Sequence, residues 1–237
     1  MKKLTLTVLA ALAMMTVQAS ADVITQWNFN GDSATTVPGG ATSPTPAIGT
    51  GIASLVGGTT ATFASGIANG GSTDPITTVP PNYGWNTTNY AAQGQENNER
   101  GVQFLVSTVG FESITLSYDL RHSNASSRFE RVLYTLDGGS SWNNAAVFDG
   151  PAGDTWFNGR FVDLSSVSGA NNNANFGFRV VATFDDTGNY AASNSGSNYA
   201  TGGTWRFDMV TVNGIPEPGS ATFLGLIGVM AALRRRK

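Results

Sequence analysis

The sequence predicts an all-β fold, a single jelly-roll-like β-sandwich, from three observations. Short runs rich in Val, Ile, Thr and aromatic residues recur along the chain, and the best of them alternate polar and apolar with period two. Gly, Asn, Asp and Pro punctuate these runs with turn signals. No long segment carries the 3.6-residue periodicity of an amphipathic helix.

The first expected strand covers residues 23–29 and ends at the turn-forming Asn30-Gly31-Asp32. A Gly/Thr/Pro/Ser-rich region follows to about residue 82, punctuated by Ile48, Ile52, Leu55, Val56 and Phe63. A stretch this long is expected to hold short strands or loops packed on the body rather than to act as a linker. Residues 101–106 read as the next strand. Residues 111–120 alternate most clearly. Ile114, Leu116, Tyr118 and Leu120 share the phase expected to be buried, whereas Ser113, Thr115, Ser117 and Asp119 share the phase expected to meet water. Residues 131–136 form another run, closed by Asp137-Gly138-Gly139. Residues 145–148, 156–162, 175–184 and 204–212 complete the set.

Residues 22–214 make one domain, long enough for a substantial core. They carry 15 Asp and Glu against 7 Arg and no Lys, a net charge of −8 with His neutral. That balance argues against a nucleic-acid partner, which needs a positive footprint. The chain has no cysteine, which excludes disulfides, thiolate catalysis and cysteine-held metals.

Both ends read as addresses. In residues 1–21, Lys2 and Lys3 precede a mostly apolar run, and Ala19-Ser20-Ala21 supplies a small-residue cleavage pattern before Asp22. This predicts an exported protein and signal peptidase as a transient partner. At the other end, residues 215–237 hold Pro216-Glu217-Pro218, an apolar run of 13 residues from Ala221 to Leu233, and Arg234-Arg235-Arg236-Lys237. The basic end is favoured on the cytoplasmic side of a membrane.

That order of PEP motif, apolar run and basic terminus resembles the sorting tail of bacterial PEP-CTERM proteins. The resemblance covers about the last tenth of the chain. It implies recognition of Pro216, Glu217, Pro218, Arg234, Arg235 and Arg236 by an exosortase-like membrane protease, with transient inner-membrane association. It also implies a destination in the envelope, outer surface or extracellular matrix of a Gram-negative-type bacterium, in settings linked to exopolysaccharide and biofilm. The body is more loosely similar to jelly-roll carbohydrate-binding modules, through Trp27-Asn28-Phe29 in the first strand and residues 207–212 in the last. In such modules the first and last strands lie close together.

The candidate sites follow from residue chemistry. Tyr83, Trp85, Asn86 and Tyr90 form one aromatic and polar group, and Tyr190 and Tyr199 another. Aromatic faces stack on sugar C–H faces and amides bind hydroxyls, so both are candidates for carbohydrate, with pinning of long loops as the competing role. Asn30, Asp32 and Asp208 offer the oxygen donors that suit structural calcium, an expectation raised by the comparison with calcium-bearing jelly rolls, and Asx turns and capping compete for them. The segment 136–142 resembles an Asp-box hairpin, in which Asp137 pins the turn and Trp142 covers it. His122, the sole histidine, is expected in a turn or at the surface rather than in catalysis. Glu96, Glu99, Glu130, Asp149, Asp154 and Asp163 permit many carboxylate pairs, and linear spacing selects none for glycoside hydrolysis. The expected function is therefore a noncatalytic exported protein that binds exopolysaccharide, with a secreted polysaccharide hydrolase as the alternative.

Overall fold

The period-two runs become the strands of two antiparallel sheets packed as a sandwich. A computed structural model describes residues 20–217. Almost all of the expected signal peptide, and the sorting tail from Pro218 onward, lie outside the described residues. Among these residues, no helix is long and apolar enough to cross a membrane.

The strands are β1 (Asp22–Trp27), β2 (Ile52–Val56), β3 (Thr60–Ser65), β4 (Tyr83–Thr88), β5 (Gly101–Leu105), β6 (Phe111–His122), β7 (Phe129–Thr135), β8 (Asn143–Asp149), β9 (Thr155–Asp163), β10 (Gly177–Thr183) and β11 (Trp205–Pro216). One sheet has six strands. Its order is β3-β4-β11-β6-β9, with β1 also paired to β11. The other sheet has five, in the order β2-β5-β10-β7-β8. The first and last strands therefore lie side by side, with Asp22 opposite Gly214 and Trp27 opposite Val210.

The alternation in β6 sorts its side chains as the sequence indicates. Ile114, Leu116, Tyr118 and Leu120 are buried between the sheets, while Thr115 and Ser117 are only half-buried on the outer face. From the other sheet, Val102, Phe104, Val132, Phe178 and Val180 face them. Phe104 stacks on Phe178 at 4.9 Å and meets Trp27 at the same separation. Ring pairs of this kind contribute beyond the area they bury.

The polar region before residue 100 holds three strands, β2, β3 and β4. β2 is apolar but only five residues long, whereas Thr and Ser in β3 and Gly, Asn and Thr in β4 give those strands the composition of loops. Gly84 is required where it stands: a Cβ there would lie 2.7 Å from the Arg206 side chain and 2.9 Å from the Phe207 carbonyl oxygen.

β11 organises the six-stranded sheet. On one edge it pairs with β6. On the other it pairs with β4 through Phe207 and with β1 from Val210 onward. The exchange of partners falls at a bulge, where Met209 adopts φ 47°. A non-glycine residue in that region is uncommon and is held by its surroundings. Here the Asp208 carboxylate accepts the Met209 N–H at 2.8 Å.

Candidate functional site

The outer face of the six-stranded sheet divides into a covered half and an open half. The segment between β3 and β4 lies over the first. Trp156 and Asn158 donate from β9 to the carbonyls of Ala68 and Gly71, at 2.8 and 3.0 Å. Asp119 accepts Thr73 N–H at 2.6 Å and Thr73 Oγ1 at 2.7 Å with one oxygen, and Gly159 N–H at 2.7 Å with the other. This explains why Asp119 is buried although it occupies the water-facing phase of β6. Ser72 donates to Asp208, the cross-strand neighbour of Asp119, at 2.6 Å.

Asp208 is fully buried. Burial, aided by the nearby Asp74 and Asp119 charges, raises its carboxyl well above the ordinary value of 3.8. The folded state therefore holds the Asp208 proton more tightly than the unfolded chain does. Its contribution to stability is fully present below pH 3.8 and is lost as pH rises through the raised folded-state value. Asp208→Asn keeps the shape without the charge: its carbonyl oxygen still accepts the Met209 N–H, and its amide can donate to Ser72 Oγ with the direction reversed. It is expected to raise the urea midpoint at neutral pH and leave it nearly unchanged below pH 3.8. An equal shift at both pH values would show that the carboxyl does not ionise against the fold.

The residues considered for calcium are placed differently from one another. Asn30 donates to Asp74 at 2.9 Å, Asp208 is held by Ser72 and Met209, and Asp32 is exposed in a bend. Asn30 and Asp208 thus reach the same covering segment through different residues. Among the described residues, no group of three or more His, Asp or Glu side chains is arranged to hold a metal ion.

The open half of the face is built by register. Residues directly opposite in neighbouring strands share a face. One row across β1, β11, β6 and β9 is Gln26, Thr211, Ser117 and Phe161. The next is Val23, Asn213, Thr115 and Asp163. Four adjacent strands span about 14 Å, and rows two residues apart stand about 7 Å from each other. Phe161 is 56 % exposed and Val23 40 %, at diagonal corners of this polar platform. A depression of about 250 Å3 opens on this face beside Val23, lined by Gln26, Thr73, Ser117, Asp119, Gly159, Met209, Thr211 and Asn213.

The aromatic residues expected to meet carbohydrate are elsewhere. Tyr83, Trp85, Tyr90 and Tyr190 are buried, which leaves no ring face for a ligand. Tyr83 and Trp85 belong to β4, a sheet strand rather than a polar loop, and Asn86 lies beside Arg206. Tyr90 bonds Thr87 at 2.6 Å, while the Tyr190 hydroxyl donates to the Gln95 and Glu96 carbonyls. Half-buried Tyr199 stacks on Tyr190 and donates to the Ala91 carbonyl. These rings pin loops to the sandwich.

His122 also departs from expectation. It is the last residue of β6 and fully buried, because it continues the inward phase of Leu120. Its Nδ1 lies 2.9 Å from the Ser127 carbonyl, which only accepts, so Nδ1 carries a proton. Its Nε2 lies 3.0 Å from Glu130 Oε2. The pair is close enough for an ion contact but lies outside hydrogen-bond geometry. Arg160 Nε approaches the other oxygen of Glu130 at 2.8 Å. Glu130 comes from β7 and its two partners from β6 and β9, so this triad joins the sheets.

Several of the other carboxylates are engaged with arginine or with turns. Asp149 holds Arg128 through two bonds, Asp154 holds Arg121, and Glu96 holds Arg100. Asp137 accepts from Thr135, Ser141 N–H and Ser141 Oγ, which lowers its carboxyl and closes the hairpin that the Asp-box pattern describes. Trp142 covers that turn under the Arg179 guanidinium.

No protein-family model matches the chain, and no curated protein matches it.

Proposed function

We propose that the protein is a noncatalytic exported protein of the cell envelope or extracellular matrix that binds polysaccharide on the open face of its six-stranded sheet. The two cross-strand rows around the depression carry this reading. Phe161 offers an aromatic face to sugar C–H groups, and Gln26, Thr115, Ser117, Thr211 and Asn213 offer hydroxyl and amide partners beside it. A face with many polar groups and one exposed ring suits weak, repeated contacts along a polymer. The acidic, Lys-free body favours a neutral glycan over a polyanionic one. Sorting would proceed through the signal peptide and the tail resembling PEP-CTERM, with signal peptidase and an exosortase-like membrane protease as successive partners.

The test is a binding titration of residues 22–217 against neutral and acidic bacterial polysaccharides, with released reducing ends measured in the same samples. Binding without product is expected. Phe161→Ala should weaken it about ten-fold, equivalent to ~1.4 kcal/mol. Binding that survives both Phe161→Ala and Asn213→Ala would remove the platform from the reading. Released product would favour the hydrolase, which would need a second carboxylate across the bound sugar from Asp163.

A further inference from the structure

The folded body reaches into the sorting motif. β11 ends at Pro216, with Ile215 opposite Glu112 and Pro216 opposite Phe111. Beyond the strand, Glu217 N–H donates to the Gly110 carbonyl at 2.9 Å. Two of the three residues in Pro216-Glu217-Pro218 are thus tied to the sheet and its adjoining turn.

The receiving turn is itself secured. Gly110 adopts φ +84°, and its N–H donates to Asn172 Oδ1 at 2.9 Å. Phe111 N–H donates to the Thr108 carbonyl at 2.9 Å, and the Phe111 carbonyl accepts Asn172 N–H at 2.8 Å. Phe111 also packs against the core. On the far edge of β11, Asp22 pairs with Gly214. Proline, which lacks an N–H, is tolerated at a strand end of this kind.

The spacing toward the membrane is short. Only Pro218, Gly219 and Ser220 separate Glu217 from the apolar run that begins at Ala221. A protease embedded in the bilayer would meet the motif with its first two residues still attached to the sandwich. Access to that backbone requires the pairing at 215–217 to open, a local event at the low-stability end of a strand.

We propose that the end of β11 is a fold-dependent latch on the processing motif. The membrane-embedded protease acts when residues 215–217 have detached from the turn at 108–112, and a fully docked body is a poor substrate. This rests on the reading of the tail as a sorting signal.

The test compares full-length precursors in membranes from an exosortase-bearing bacterium. One is the natural sequence. A second carries a flexible Gly/Ser spacer of about six residues between Gly214 and Ile215, which frees the motif while leaving β11 paired through Gly214. A third adds Glu217→Ala to the spacer form. Amide exchange at Val210 and Val212 verifies the fold, and exchange at Glu217 reports the latch. The spacer form is expected to be processed about ten-fold faster than the natural one, with Glu217 protected only in the latter. Processing should be lost with Glu217→Ala. Equal processing rates, or an unprotected Glu217 amide in the natural form, overturn the latch and leave the tail reading intact. If no form is processed, or Glu217→Ala changes nothing, the sorting reading fails and the latch with it.

Discussion

Glu130→Ala is expected to lower the unfolding free energy by about 3–5 kcal/mol, the range for breaking a buried ion pair by removing one partner. The size of the effect comes from what remains. His122 is fully buried, with one nitrogen already committed to the Ser127 carbonyl, and loses the acidic neighbour of the other. Arg160 loses the carboxylate at 2.8 Å, retaining its bond to the Asp149 carbonyl and its position between the Phe148 and Phe157 rings. The triad joins the two sheets, so the loss should affect global unfolding rather than a local opening. Denaturant midpoints followed by tryptophan fluorescence would measure it. A paired His122→Phe, Glu130→Leu replacement should recover most of the loss, because apolar groups of similar volume need no compensation. A loss under 1 kcal/mol on Glu130→Ala would show that water or Tyr118, whose buried hydroxyl has no partner among the described residues, replaces the carboxylate.

Asp119→Ala is expected to cost about 3 kcal/mol, through the donors it leaves unsatisfied. Thr73 N–H, Thr73 Oγ1 and Gly159 N–H converge on this carboxylate. The hydroxyl can turn toward water, whereas the two backbone groups cannot. The effect should be concentrated in the segment between β3 and β4, since Asp119 is its central attachment to the sheet. Limited proteolysis would read this as new cleavage between residues 66 and 81, before global unfolding. Uniform destabilisation without new cleavage would mean that the Trp156, Asn158 and Ser72 contacts hold the segment without it.

How much could be read from sequence depended on how each strand is buried. β6 has one dry face and one wet face, so its alternation identified both the core residues and the water-facing Thr115 and Ser117. β4 carries Tyr83, Trp85 and Thr87 inward, but Gly84, Asn86 and Thr88 between them give it the composition of a loop. That same composition made its aromatics look available to a ligand. Thr87 is accommodated inside because Tyr90 and the Trp205 carbonyl take up its hydroxyl. His122 falls outside the expected core because the apolar alternation of residues 111–120 stops at Leu120, whereas β6 continues to His122. The platform itself was not legible. It exists only through the registers of β1, β11, β6 and β9, which no local pattern contains, although the polar phase of β6 marked its central column.

The position of β11 within its sheet bears on how the body carries mechanical load. A pull transmitted through Glu217 runs along a strand bonded on one edge to β6 and on the other to β4 and β1. Many ladder bonds on both edges are then strained together, in shear, instead of peeling apart one after another. A pull through Asp22 loads β1, a strand held by β11 along a single edge, and should extract it at lower force. For a body fixed to a surface by its C-terminal end, resistance to drag is set by the rate of unfolding under force rather than by equilibrium stability. The strand that joins the body to its tail is thus also the one best placed to bear the tension.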